Sequence, residues 1–219
     1  MTARLLLVRH AESESNILRK LDTKPPGAAL TKTGHKQARK LAELLALTDD
    51  DILVSSIAVR AQQTAMPIAE SLGRSVTTVE GIHEIQAGDL ELRSDHEAHR
   101  IYVATYTEWL HGNDSARIPG GESGHDLMDR YLPVISTLRT DYLKHTSGRI
   151  VVVSHGAAIR AIAAKLTGID PGFALRHRLE NTGGVELAPT AAGGWDLVRW
   201  GHVVSHSPGE AHIARDVMG

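Results

Sequence analysis

The chain contains no cysteine. That absence removes disulfides, thiolate metal sites, cysteine hydrolases and cysteine-based phosphatases together, and it fits a reducing cytoplasm without requiring one. There is no excess of one charge sign: 24 Lys plus Arg stand against 26 Asp plus Glu, a formal net charge of −2. Such a balance argues against a non-specific grip on nucleic acid or on an anionic membrane. Long apolar runs are missing too. The first, Leu5–Val8, ends after four residues at Arg9-His10, whereas an export signal needs roughly 7–15 apolar residues and a membrane span about 18. A cytoplasmic protein with neither membrane nor nucleic-acid partners is the expectation. No Gly-x-Gly step, no Gly-x-Ser-x-Gly elbow and no Gly-Lys pair occurs, which excludes the dinucleotide fingerprint, the nucleophile elbow and the P-loop.

What is present reads as an ordinary globular chain of 219 residues, 42% apolar and 23% charged. A chain of this length buries well over half of its unfolded surface. Leu5–Val8, Ile52–Val54, Val76–Val79 and Ile150–Val153 are short apolar runs of the kind that buried parallel strands produce. Between them, Gly34–Leu47 repeats apolar residues at helical spacing with Thr33 as its cap, and Arg60–Leu72 does the same with Gly73 as its stop. Pro67 predicts a kink or a late start in that second helix. Ser94–Leu110 carries Tyr102, Tyr106 and Trp109 at helical spacing. Leu127–Tyr142 is a further helix interrupted by Pro133, and Ala157–Leu166 another. Val185–Leu187 and Trp195–Trp200 read as closing strands. The alternation predicts an α/β fold, a three-layer α/β/α sandwich on a mostly parallel central sheet, in one domain over residues 1–200. Residues 201–219, polar and without period, form an irregular tail.

Thirteen histidines invite a metal reading. His96 and His99 miss the i, i+4 zinc spacing, His202 and His206 fall in the unpatterned tail, and no metal or other cofactor is expected. Asp49 and Asp51 precede their strand and read as a solvated turn. Two histidines stand apart. His10 directly follows the first strand and His155 the strongest one, and ligands of open α/β sheets bind beyond the carboxyl ends of strands. Each leads into a segment whose free backbone N–H groups suit an anion. Arg9 adjoins His10, and Arg60 opens the helix after Ser55-Ser56. Two arginines converging there would clamp an oxyanion bidentately, giving a phosphate site without a metal.

Those residues belong to larger blocks. Arg9-His10-Ala11-Glu12-Ser13 is followed by Asn16, Leu30-Thr31 by Gly34, Gln37 and Ala38, and Ser55-Ser56 by Arg60-Ala61 and Gln63-Thr64-Ala65. Glu84 follows Gly81-Ile82-His83, and Pro119-Gly120-Gly121-Glu122-Ser123 and Val153-Ser154-His155-Gly156 complete the series. In combination they resemble the histidine phosphatase superfamily, also called phosphoglycerate mutase-like, over nearly the whole chain to Trp200. Three departures stand out. Ala11 replaces a glycine, Gly88-Asp89-Leu90-Glu91-Leu92 is a reduced form of Gly-x-Trp-Glu-Gly, and Leu21–Pro26 lacks the Thr-Gly step that helps mutases hold a substrate carboxylate. The loop Arg93–Arg117 is also short for a glycolytic mutase.

The resemblance implies a phosphohistidine mechanism. His10 is the nucleophile, Arg9, Arg60 and His155 hold the phosphoryl oxygens, and Glu84 is the proton donor and then the base. Asn16 and Gly156 join the phosphate and substrate contacts. Arg19, Arg93, Arg100, Arg117 and His125 are candidate rim contacts for a second anionic group. The implied partner is a small phosphorylated substrate; the family often dimerises, so the resemblance allows a homodimer and the residues leave the oligomeric state open. A phosphomonoesterase is the leading function. A cofactor-dependent phosphoglycerate mutase and a non-catalytic phosphate-binding regulator are the alternatives.

Overall fold

The computed structural model describes residues 3–143 and 148–202. β1 (Arg4–Arg9) leads through a one-turn helix α1 (Glu14–Ile17) to α2 (Lys32–Leu45). Next come β2 (Ile52–Ser56), α3 (Val59–Ser71) and β3 (Thr77–Val79). A 3₁₀ turn (Gly88–Leu90) precedes α4 (His96–Leu110) and α5 (Gly124–Leu138). Then follow β4 (Arg149–Ser154), α6 (Gly156–Thr167), α7 (Pro171–Arg176), β5 (Gly184–Pro189) and β6 (Trp195–Gly201).

The sheet order is β3-β2-β4-β1-β5-β6. β3, β2, β4 and β1 are parallel, while β5 and β6 add an antiparallel edge. Strand alternation divides the core between two faces. Leu5, Leu7, Ile150 and Val152 pack with Tyr102 of α4, Leu127 and Tyr131 of α5 and Ile159 and Ile162 of α6. On the other face Leu6, Val8 and Val151 meet Leu41 and Leu45 of α2 and Ile68 of α3. Covering on both faces is why β1 and β4 read as unbroken apolar runs. The architecture is the expected three-layer sandwich.

Several local expectations change. The cap of α2 is Thr31, not Thr33: its Oγ1 accepts the Gly34 N–H at 2.9 Å and donates to Glu12 Oε1 at 2.6 Å, tying the helix start to the segment after β1. Pro67 and Pro133 end nothing. α3 starts early, at Val59, and α5 runs through Pro133 to Leu138, continued by a π-type turn over Arg139–Leu143. The fully buried Ile68 beside Pro67 and the buried Tyr131 and Ile135 around Pro133 hold these helices against the sheet, so packing outweighs propensity. α7, capped by Asp170 with Pro171 in its first turn, is too short for a periodic signal. Gly201 belongs to β6, and the rest of the expected tail, from 203 on, lies outside the described residues. Among the described residues no helix is long and apolar enough to cross a membrane.

Asp51 is the clearest misreading. Asp49 is exposed, but Asp51 is 3% exposed. Its carboxylate accepts the Arg149 backbone N–H at 2.6 Å, Arg149 Nη2 at 3.1 Å and the Thr48 N–H at 2.8 Å, stapling the start of β2 to that of β4. Burial works to raise its pKa, yet the hydrogen bonds from Arg149 and Thr48 outweigh it and the net shift is downward. A depressed carboxylate stabilises the fold above its unfolded pKa and loses that contribution as pH falls through the folded value. Asp51→Asn should therefore lower stability by about 1–3 kcal/mol at neutral pH. In denaturant titrations against wild type the difference should shrink below about pH 4; a pH-independent difference would remove the charge from the explanation.

Candidate active site

The strand register assembles the site. Arg9 pairs with Ser154 across β1 and β4, so His10 and His155 leave neighbouring strands at the same level. Their rings sit edge to face with centroids 5.2 Å apart. On the far side of β4, Ser55 pairs with Val153, and the chain turns from Ser56 into α3, whose second residue is Arg60. Three adjacent strand ends thus deliver three side chains to one point, all 4% exposed or less.

Hydrogen bonds settle the tautomers. His10 Nδ1 lies 2.7 Å from the Ala11 carbonyl, which only accepts, so Nδ1 carries the proton. The lone pair of His10 Nε2 receives Arg60 Nε–H at 3.1 Å. His155 Nδ1 receives Arg60 Nη2–H at 3.1 Å, which leaves its Nε2–H to donate to Ser56 Oγ at 2.9 Å. Burial, reinforced by Arg60, pushes both imidazoles well below the ordinary histidine pKa. Both are neutral at neutral pH, and both lone pairs point at one guanidinium.

Arg60 is itself caged. Nη2 also donates to the Asp22 carbonyl at 3.0 Å, and the buried Asp22 carboxylate lies 3.7 Å from Nη1, which has no hydrogen-bond partner. Gly27, at φ +66°, makes the cage possible: a Cβ there would stand 2.4 Å from Nη1. Thr64 Oγ1 accepts the Ala11 N–H and donates to the Arg60 carbonyl, coupling the turn after His10 to α3.

Arg9 donates Nη1–H to the Leu179 carbonyl at 2.6 Å, while its Nε and Nη2 bond no described residue. It lies along Gly156, where a Cβ would come within 3.1 Å of Arg9 Cδ. Glu84 reaches the start of α6: Oε1 accepts the N–H groups of Ile85 and Ala158 at 2.9 Å, and Oε2 that of Ala157 at 3.1 Å. The carboxylate so caps a helix whose own N-cap residue, His155, supplies no side-chain bond. Oε2 carries a single such bond and has room for a proton. Asn16 has a structural task as well, since its Oδ1 accepts from the Ser13 and Asn181 N–H groups, leaving Nδ2 without a described partner.

Sequence reasoning missed four participants. Asn181 Nδ2 donates to the His10 carbonyl at 3.0 Å and to Asn16; its only sequence trace is a turn-like Asn-Thr-Gly-Gly before β5. Asp22 and Arg130 carried no signal. Glu91 was noticed only as part of a reduced motif, yet it accepts from the Thr23 N–H, Thr23 Oγ1 and the Lys24 N–H, pinning the loop beside Asp22. The candidate rim does not gather. Arg93, Arg100 and Arg117 pair locally with Asp95, Glu97 and Asp126, and Arg19 and His125 are exposed. Most of the expected loop Arg93–Arg117 is α4. His96 is exposed, and His99 Nε2 bonds the Arg19 carbonyl. His202 is exposed, and His206 lies outside the described residues.

Comparison with known proteins identifies the family and the fold. A family model of the histidine phosphatase superfamily (branch 1) matches residues 5–203. The chain is similar to a probable phosphoglycerate mutase GpmB of Enterobacter sp., 30% identical over 206 residues, which are 91% of this chain and 93% of that protein. It is 32% identical to phosphoserine phosphatase 1 of Hydrogenobacter thermophilus over 168 residues, 76% of this chain and 77% of that one. A PE-PGRS family protein of Mycobacterium tuberculosis is longer: 88% of this chain matches it at 29% identity and spans 35% of its length. The structure of a mycobacterial glucosyl-3-phosphoglycerate phosphatase superposes with a TM-score of 0.74 at 24% identity, covering 91% of this chain and 98% of that one. At that identity the likeness is one of fold.

Proposed function

The chain belongs to the histidine phosphatase superfamily, and from that premise we propose that it is a cytoplasmic, metal-independent phosphomonoesterase that hydrolyses a small phosphorylated metabolite through a phosphohistidine. The observation that carries this reading is the Nε2 lone pair of a neutral, buried His10 held against the Arg60 guanidinium. A phosphate monoester entering there as its monoanion gives Arg60 oxygen acceptors in place of imidazole nitrogens and releases Nε2 for in-line attack. The N–P bond forms as the ester P–O bond breaks. Arg9, through Nε and Nη2, and Arg60 stabilise charge on the equatorial oxygens. His155 Nδ1 becomes a donor when it takes up the proton that a phosphate monoanion brings. Glu84 protonates the departing alkoxide, then removes a proton from the water that opens the phosphohistidine, and ends in its starting state.

Likeness to the mutase over most of both chains supports a second reading, phosphoryl return to a bound phosphoglycerate. A mutase needs carboxylate-specific contacts and exclusion of water, whereas the loop beside the phosphate pocket here presents Asp22. On one preparation, phosphate release from a panel of monoesters should exceed interconversion of 3- and 2-phosphoglycerate with bisphosphoglycerate supplied. Interconversion faster than the best hydrolysis by a hundredfold, roughly 2.7 kcal/mol in barrier, would establish the mutase reading. No turnover of any ester, a chromogenic one included, would leave a phosphate-binding regulator.

A further inference from the structure

The segment bearing Glu84 has no regular structure of its own. Between the end of β3 at Val79 and the 3₁₀ turn at Gly88 the backbone is irregular, so its carbonyls must find partners elsewhere. The Ile82 carbonyl takes Ser154 Oγ–H at 2.7 Å. The other three in Gly81–Glu84 all accept from one side chain, that of Glu84 also accepting Gln86 Nε2–H at 3.0 Å. Arg130 of α5 donates from Nη1 to the carbonyls of Gly81 at 2.6 Å and His83 at 2.9 Å, and from Nη2 to that of Glu84 at 3.0 Å. Its remaining two N–H groups make a bidentate pair with Glu122, Nε to Oε1 at 2.7 Å and Nη2 to Oε2 at 2.9 Å. Glu122 Oε2 in turn accepts the Gln86 N–H at 2.9 Å. All five donors of the guanidinium are used, four-fifths exclusion from solvent or better applies to both partners, and residues 81–86 are bracketed from both ends.

We propose that Arg130 is the positioning residue for the proton donor: it sets the backbone from which the Glu84 carboxylate reaches the start of α6 and the leaving-group oxygen, and it touches no substrate. The inference rests on the reading of Glu84 as acid and base. A planar fork suits three divergent carbonyls plus a carboxylate, and no other side chain supplies that many directed donors. Loss of the fork frees the peptide segment and so misplaces the acid, without altering the clamp of Arg9, Arg60, His10 and His155. The defect should therefore scale with how much the leaving group needs a proton.

The test compares kcat/KM for p-nitrophenyl phosphate, whose phenolate departs unassisted, with that for glycerol 2-phosphate, whose alkoxide does not. Glu84→Gln should lose about 10²–10³-fold on the alkyl ester and less than about tenfold on the aryl one. Arg130→Met should reproduce that bias, with an alkyl loss at least about tenfold beyond the aryl loss. Arg130→Lys should restore part of the alkyl rate, and inhibition by inorganic phosphate should stay within about threefold of wild type in both. If the Met variant does not fold, the bias in the Lys variant decides. Equal losses on both esters in the Arg130 variants, with the bias intact in Glu84→Gln, would overturn the positioning role and leave the acid standing. Equal losses in Glu84→Gln as well would overturn both.

Discussion

Replacing His10 with alanine should reduce phosphate release by about 10⁴-fold or more, because in the proposed reaction it removes the atom that bonds to phosphorus rather than one that assists it. His10 Nε2 is the acceptor of Arg60 Nε–H, and Nδ1–H is fixed on the Ala11 carbonyl, so the ring is held in the nucleophilic tautomer before any substrate arrives. The fold should survive, since the strands of β1 and β4 pair independently of the ring. Quenching wild-type turnover in alkali should leave acid-labile phosphate on the chain, and the variant should carry none. Turnover by His10→Ala within tenfold of wild type would remove the residue from the role.

The second large effect is on Arg60. Arg60→Ala should slow turnover by about 10³-fold, in the range expected for losing a preorganised donor to transition-state charge. It should also destabilise the fold by about 3 kcal/mol, because Asp22, with 5% of its side chain exposed, would lose its buried counter-charge. The two losses separate. Adding Asp22→Asn to Arg60→Ala should recover part of the stability in a thermal melt and none of the activity. Recovery of activity would mean that the aspartate, not the arginine, limits the reaction.

Much of this site was legible in the sequence. His10, His155 and Arg60 each follow a short apolar run, and a parallel sheet brings the carboxyl ends of its strands to one edge. Strand order was not legible. That β4 lies between β1 and β2 decides which side chains meet, and it rests on pairing between segments about 100 to 145 positions apart, which no local pattern records. The failures share a cause. Thr33 and the interruptions at Pro67 and Pro133 came from local propensity, which Thr31's bond to Glu12 and the buried Ile68 and Ile135 override. Asp51 looked like a turn residue because its partner, Arg149, is far away in sequence.

By itself, the sequence determined the fold class and singled out Arg9, His10, Arg60 and His155 as candidate site residues, because apolar periodicity and residue type are properties of a few consecutive positions. Only the tertiary structure decided how those side chains are held. Asn181 bonds the carbonyl of His10 across 171 positions, Arg9 bonds that of Leu179 across 170, and Arg130 bonds carbonyls 46 to 49 positions away. Every residue carries a carbonyl, so the accepting half of each contact leaves no mark in the choice of amino acid. The donor is visible in the sequence, but its target exists only once the chain has folded.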